Sequence, residues 1–456
     1  MTIDEAAEAL KANNLEIDCI EMSLTQEASA SPIVYHGKGY IRQDKDGVLN
    51  FKIFVSKVEN TNIAQQMHQV FSNQSGRIFA DSDFYSLIAR DARSRTWTAD
   101  RIIPQTGANL SFAYGQLRSI KSEHNHFEAK HSVSIRYFGV MELPIEFGRA
   151  DFGNKKMGKV QFPAGNAEIA VQEYPDETVF TAASKVSLSE SFHTRMDEAA
   201  KFLTAKSVEW RVLQRHDGNR GFIELTSASA RSVVTRMDPP ITRSINGYWQ
   251  NGWVLYTKYL EYVLRTTKRS YWNHCTSHLH NAREASANAL DAWAVGLAVA
   301  VEGMVELVPF TQDKSEKEKI KKFKEWILEQ IRSRKKFQLF EKRMGGLLGM
   351  LSNVRLQDRM APLIASGHVT GAYADAWSKL RNRHVHPKGV DPQRMDSKEF
   401  QEIFDLINKT TTFMYEIVFY LIGYSGMHSD YGQHGYPARI YPVTQSAPKP
   451  IHIAKS

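Results

Sequence analysis

The tripeptide Asp238-Pro239-Pro240 separates two regimes of hydrophobic spacing. Before it, apolar residues tend to alternate with polar ones; beyond it they return every three or four positions. A strand presents alternate side chains to one face, and a helix every third or fourth. One chain carrying both periods has to build two kinds of core. Adjacent prolines lack a backbone donor and disfavour the α region in the residue ahead of them, which suits a junction. At 456 residues the chain is also long for a single core.

In the first half, Ile33–Ile41 and Leu49–Val55 flank the turn Asp44-Lys-Asp-Gly47, the pattern of a hairpin. Phe112–Leu117, Ser132–Phe138, Ala167–Val171, Val208–Leu213 and Gly221–Leu225 read as further strands, the last two joined by a turn at His216-Asp-Gly-Asn219. Phe192–Leu203 has helical spacing, with Ser189 or Ser191 near its cap. Tyr35, Tyr40, Phe54, Tyr85 and Tyr137 read as core aromatics. In the second half the period predicts helices at Trp253–Trp272, Arg283–Leu307, Glu316–Arg343, Leu356–Ile364, Gly371–Val385 and Ser397–Tyr424. The expected fold class is multidomain α+β. An antiparallel β-sandwich or barrel-like domain occupies residues 1–237, its first 29 residues forming either a short helix and a strand or a partly loose segment. A linker at 238–250, an all-α bundle at 251–427 and a proline-rich tail at 428–456 follow.

Composition narrows the setting. Cys19 and Cys275 are the two cysteines, so neither a disulfide framework nor a four-cysteine zinc site fits within one chain. That suits a reducing, cytoplasmic location. The N-terminus is acidic and lacks the basic-then-apolar order of a signal peptide. The longest apolar run, Ala292–Val301, is far short of the roughly 20 residues a membrane helix needs. No membrane association is expected. A net charge of +8 permits an anionic partner without requiring one.

The stretch Leu380-Arg-Asn-Arg-His-Val-His-Pro387 holds the most suggestive chemistry. Pro387 turns His386 away from the α region, so the helix should end near Val385. An arginine offers rigid donors to the oxygens of a phosphorane, and a histidine moves a proton near neutral pH. Together they suit cleavage of RNA at its own 2′-hydroxyl, with no metal or other cofactor in the reaction. Fully helical residues five apart sit about 140° around the axis, so Arg381 and His386 need release of the last turn to converge. Asn382 and His386 are one turn apart. The competing reading is a solvated helix end with Arg381 in a salt bridge.

This string resembles the R-x4-H signature of HEPN-domain ribonucleases, in the form with Asn after the arginine. The first half is similar in character to the β-rich domain ahead of HEPN domains in some abortive-infection proteins. The resemblance covers roughly residues 250 to 427. It implies that Arg381 and His386 form the catalytic pair, that Asn382 supports them, and that a homodimer or higher even-numbered oligomer gathers two motifs into one cleft. In a dimer, His386 of one protomer works beside the arginine of the other. The resemblance also implies antiviral growth arrest, with the N-terminal domain recognising a phage-derived trigger. His384 is a rival for the histidine role, but the family spacing favours His386.

Other residues are placed around this motif. Glu284, Asn288, Asp291, Val295, Ala298, Glu302 and Glu306 recur at helical spacing, and Glu302, the acid expected to be partly buried, is placed to orient either Arg381 or the arginine of a partner protomer as a bidentate pair; the alternative is that the acids of this stripe face water. Residues 314–343 hold 12 Lys or Arg against 5 acids, with Ile320, Phe323, Ile327 and Ile331 as the expected buried stripe. Arg332, Arg334, Lys335 and Lys336, with Arg383 and His384, are the expected RNA contacts. The groups His274, Cys275, His278, His280 and His124, His126, His131 are weaker candidates for metal. The alternative function is a non-catalytic binding or sensor protein that dimerises through its helices; a metal-dependent hydrolase built on the histidines is more remote.

Overall fold

The structure, a computed structural model, describes residues 2–60, 78–107, 109–145, 158–228, 235–268, 271–310, 314–334, 341–350, 355–385 and 397–442. The chain divides into two compact units. Among the described residues, one comprises those up to Val233 apart from Phe202–Ala205; the other comprises that short stretch and the residues from Val234 on.

The first unit opens on helix α1 (Ile3–Lys11). Thr2 and Glu5 cap it reciprocally, each side chain taking the other's backbone N–H at 3.1 and 2.7 Å. Strands β1 (Glu16–Gln26), β2 (Val34–Gln43), β3 (Leu49–Glu59), β4 (Tyr85–Asp91), β5 (Thr96–Ile102), β6 (Gln105–Thr106), β7 (Phe112–Leu117) and β8 (Ser119–Phe138) follow. After them come β9 (Gly158–Ala164), β10 (Ala167–Glu173), β11 (Glu177–Ser184), helix α2 (Phe192–Thr204) and β12 (Val212–Thr226). All twelve strands belong to one sheet, in the order β6-β7-β3-β2-β1-β4-β5-β8-β11-β10-β9, with β12 also on β8. Neighbours run antiparallel, as at Leu24 opposite both Tyr35 and Leu87. The expected antiparallel β region is present, and the first residues are integral to it, because β1 lies between β2 and β4.

Alternation explains the core. Leu49, Phe51 and Ile53 point inward, where Trp97, Leu87 and Leu225 complete one buried cluster. Phe54, expected in the core, falls on the outer face by the same alternation and is 55% exposed. The turn expected at His216–Asn219 is not there, and the two strands around it are one. β12 runs through this stretch against β8, and the register shifts between Gly218 and Arg220. The extra residues lie on β8, where positions 126–129 stand against one residue of β12, and Gly218 adopts φ +63° at the same point, a value open to glycine.

The second unit contains α3 (Tyr248–Thr266), α4 (His274–Ser286), α5 (Leu290–Leu307), α6 (Lys314–Arg332) and α7 (Glu341–Met350). It continues with α8 (Leu356–Ala365), α9 (Gly371–Val385), α10 (Ser397–Ile422) and a hairpin of β13 (Gly426–Ser429) and β14 (Ala438–Tyr441). Four expectations need correcting. The helix expected at Arg283–Leu307 is broken, because the Asn288 side chain takes the Glu284 carbonyl at 2.9 Å and ends α4. The helix expected at Glu316–Arg343 is α6 and α7, and the isoleucines of α6 are half-buried while Phe323 is exposed. The expected linker is packed, with Ile241 and Ile245 buried and α3 beginning within it. The start of the expected tail is the ordered hairpin, with Asp430 and Tyr441 buried; residues 443–456 lie outside the described residues.

Breaking the helix at Asn288 lets α5 fold back on α4. Two α5 glycines make the approach close: a Cβ on Gly296 would fall on Ala285 Cβ, and one on Gly303 would fall on the His278 ring. Alanine ordinarily favours a helix interior over glycine by about 0.5–1 kcal/mol. At Gly296 overpacking reverses the sign, since Ala285 has no torsion with which to move away. Gly296→Ala should therefore lower unfolding free energy by about 1–3 kcal/mol in urea titrations; a gain would contradict this packing.

A polar network ties the hairpin to α9 and α10. Tyr373 donates to both Asp430 oxygens at 2.7 and 2.9 Å, and Thr370 donates to Glu416 through its N–H at 2.8 Å and its hydroxyl at 2.7 Å. Arg439 lies 3.5 Å from Glu416 and 3.4 Å from Asp430. Burial pushes the Glu416 carboxyl up from 4.5 to about 7, against the Thr370 bonds and Arg439, with Asp430 adding to the rise. A raised folded-state value stabilises fully below the unfolded value, and that stabilisation fades as pH climbs through the folded one. Glu416→Gln should remove from the stability–pH curve a decline on the order of 2–3 kcal/mol between about pH 4.5 and 7. Parallel curves for the two proteins would show that Glu416 does not titrate this way.

Candidate active site

α9 carries Arg381, the arginine of the R-x4-H spacing, and α5 carries its acidic partner. Trp377 and Leu380 bury the inner face of α9. The Trp377 indole N–H donates to the Ala298 carbonyl at 3.0 Å, fixing α9 on α5. One turn beyond each of those residues stand Arg381 and Glu302. Arg381 donates through Nε to Glu302 Oε2 at 3.0 Å and through Nη2 to Oε1 at 3.5 Å, a two-pronged contact. Both side chains keep about a third of their surface in solvent, 36% and 35%. Glu302 thus occupies two of the five guanidinium N–H groups and leaves others free to meet an anion.

The neighbouring motif residues brace the helix end. His384 Nδ1 lies 3.3 Å from Asp291, in the first turn of α5, with only 8% of its side chain exposed. Burial pulls its imidazole below the usual 6.5, with Asp291 opposing and Arg383 reinforcing the shift, so the ring is neutral at pH 7. Its Nε2 is buried without a hydrogen-bond partner among the described residues. A ring so enclosed does not present itself to a phosphate, which corrects the expectation that His384 contacts RNA. Arg383 lies 3.9 Å from Glu402 on α10, and Asn382 is exposed. His386 lies outside the described residues.

The basic segment is divided. Arg332 is exposed and pairs with Glu341 at 2.6 Å. Arg334 is exposed, and Lys335 and Lys336 lie outside the described residues. The histidine groups are spread apart: Cys275 is buried at the start of α4, His278 lies on Gly303, and His280 packs edge-on against Trp272 at 4.9 Å. His124 and His131 sit on β8 rather than on a loop. Among the described residues, no group of three or more His, Cys, Asp or Glu is placed to hold a metal ion.

Sequence reading missed one feature of the first unit, because strands far apart in sequence create it. A groove of about 770 Å³ opens beside the register shift between β8 and β12, lined by residues that include Lys121, Arg215, Arg220 and Phe222. Asp217 on its rim accepts from Ser187 at 3.0 Å and meets His131 at 2.7 Å. The carboxylate stands between the other two groups, so the His131 imidazole is not placed to take the Ser187 proton. The trio braces the register shift rather than building a nucleophile.

No family model, curated protein or solved structure matches this chain. Among the described residues, no helix is long and apolar enough to cross a membrane.

A half-exposed ion pair contributes about 0–1 kcal/mol to stability after solvent screening. Glu302→Gln should therefore unfold in urea within about 1 kcal/mol of the parent. A loss of several kcal/mol would make the Arg381 contact a structural brace instead.

Proposed function

We propose that this chain is a metal-independent endoribonuclease of the HEPN type, acting in antiviral defence through growth arrest. The observation that carries the reading is the Arg381 guanidinium, gripped by Glu302 along one edge and partly open to solvent. It stands five residues before His386, the spacing of the R-x4-H motif.

In the proposed reaction, one His386 imidazole takes the proton of a ribose 2′-hydroxyl. The oxygen attacks the adjacent phosphorus, and the bond to the 5′-oxygen breaks. A second His386, protonated, returns a proton to the leaving oxygen. Arg381 donates to the non-bridging oxygens, where charge concentrates in the transition state. The products are a 2′,3′-cyclic phosphate and a 5′-hydroxyl. Two histidines acting in opposite protonation states call for two copies of the motif, which supports a homodimer. Glu302 does not touch the phosphate; it fixes the plane of the guanidinium. The first unit is the recognition domain for a phage-derived trigger, and the site of action is the cytoplasm.

A second reading, a non-catalytic scaffold, draws support from the ion pairs of Arg381, Arg383 and His384, which all tie helices together. The two readings part on mutation. Arg381→Ala and His386→Ala should each lower RNA cleavage in EDTA by about 10²-fold or more. Equal rates in the parent and both variants would leave only the scaffold.

A further inference from the structure

Helix α6 does not bury its aromatic residues. Phe323 is 49% exposed and Trp326 is 54% exposed. Their rings are neighbours, with centroids 6.2 Å apart and planes 31° from parallel. Lys319 precedes Phe323 by one turn, and Lys322 precedes Trp326 by one turn. At 3.6 residues per turn, all four fall within about 100° of the helix circumference. Both lysines are exposed, and neither forms an ion pair among the described residues. Glu318, Glu325 and Glu329 border this arc on the Lys322 side, and Glu316 lies two turns before Phe323, so the two lysines are the charges between and nearest the rings rather than the only charges on that side of the helix.

We infer that Phe323 and Trp326 are a stacking platform for the bases of single-stranded RNA, with Lys319 and Lys322 holding the flanking phosphates. Exposed aromatic rings accept any base on their faces, and adjacent ammonium groups neutralise the backbone. The rings are about 4.5 Å apart along the helix axis, close enough to engage neighbouring nucleotides. A bilayer surface is the poorer match. An interfacial helix turns a long apolar strip outward, whereas Ile320, Ile327 and Ile331 are half-buried here and only the two rings stand clear. The inference rests on the reading of this chain as an RNA-acting protein, and extends it to where the strand is held.

The test uses the full chain and a fluorescein-labelled 2′-O-methyl oligoribonucleotide of mixed sequence. That probe has no free 2′-hydroxyl to attack, so binding is read whether or not the Arg381–His386 chemistry is right. By fluorescence anisotropy, Phe323→Ala with Trp326→Ala should weaken binding about tenfold or more, and Trp326→Phe alone should retain most of it. Lys319→Gln with Lys322→Gln should lower the slope of log affinity against log salt by about 1.4. Circular dichroism of the variants should match the parent, since all four side chains are exposed. Unchanged affinity in the aromatic double variant overturns the inference. So does an affinity loss that coincides with a change of oligomeric state by light scattering, which assigns the rings to a contact between copies. Ring-dependent binding to phosphatidylglycerol vesicles with RNA affinity unchanged also overturns it.

Discussion

The hydrogen bond from Trp377 to the Ala298 carbonyl holds the candidate site together. A carbonyl inside a helix already accepts from the N–H four residues on, and its second lone pair can take another donor. Here that donor is the indole of a neighbouring helix, so α9 is anchored to α5 at a buried point. One turn further along each helix, Arg381 and Glu302 meet near the surface. The buried contact supplies the precision and the exposed one the chemistry. A guanidinium positioned only by a solvent-screened ion pair would wander; one carried on a docked helix does not.

The docking of α5 has its own requirements. Asn288 stops the preceding helix by capturing a carbonyl, and Gly296 and Gly303 let α4 lie close. On the far side, the hairpin after α10 is drawn in by Asp430, Glu416 and Arg439. The two carboxyl groups are buried and Arg439 is partly so, unlike the half-exposed pair at the site. The hairpin is held by a mostly buried polar network, whereas Arg381 sits in a setting where its charge remains available.

The sequence was legible where one periodicity dominates. The change of period at Asp238-Pro239-Pro240 separated a strand-rich from a helical half, and the bounds of α9 and β7 could be read directly. Reading failed where a local signal has two physical uses. Asp217-Gly218 is a turn signal, yet both residues pair with β8 and the chain runs on as one strand, which only the partner strand decides. The helical period runs on through Asn288 because a side chain taking a backbone carbonyl leaves no trace in hydrophobic spacing. The amphipathic pattern of α6 promised burial, but nothing in one segment tells whether another will cover it. Of the site, the motif and its acidic partner were visible as spacing. That His384 turns inward toward Asp291 was not, because the contact joins residues 93 positions apart.

The proposed activity requires Arg381 to meet a phosphodiester whose own 2′-hydroxyl is the nucleophile. The most direct measurement is the chemistry of the ends produced when purified protein cuts RNA in EDTA, read by mass spectrometry. A 2′,3′-cyclic phosphate on one fragment and a 5′-hydroxyl on the other is the expected result. A 5′-phosphate with a free 3′-hydroxyl, or cleavage of a strand lacking 2′-hydroxyls, would contradict it.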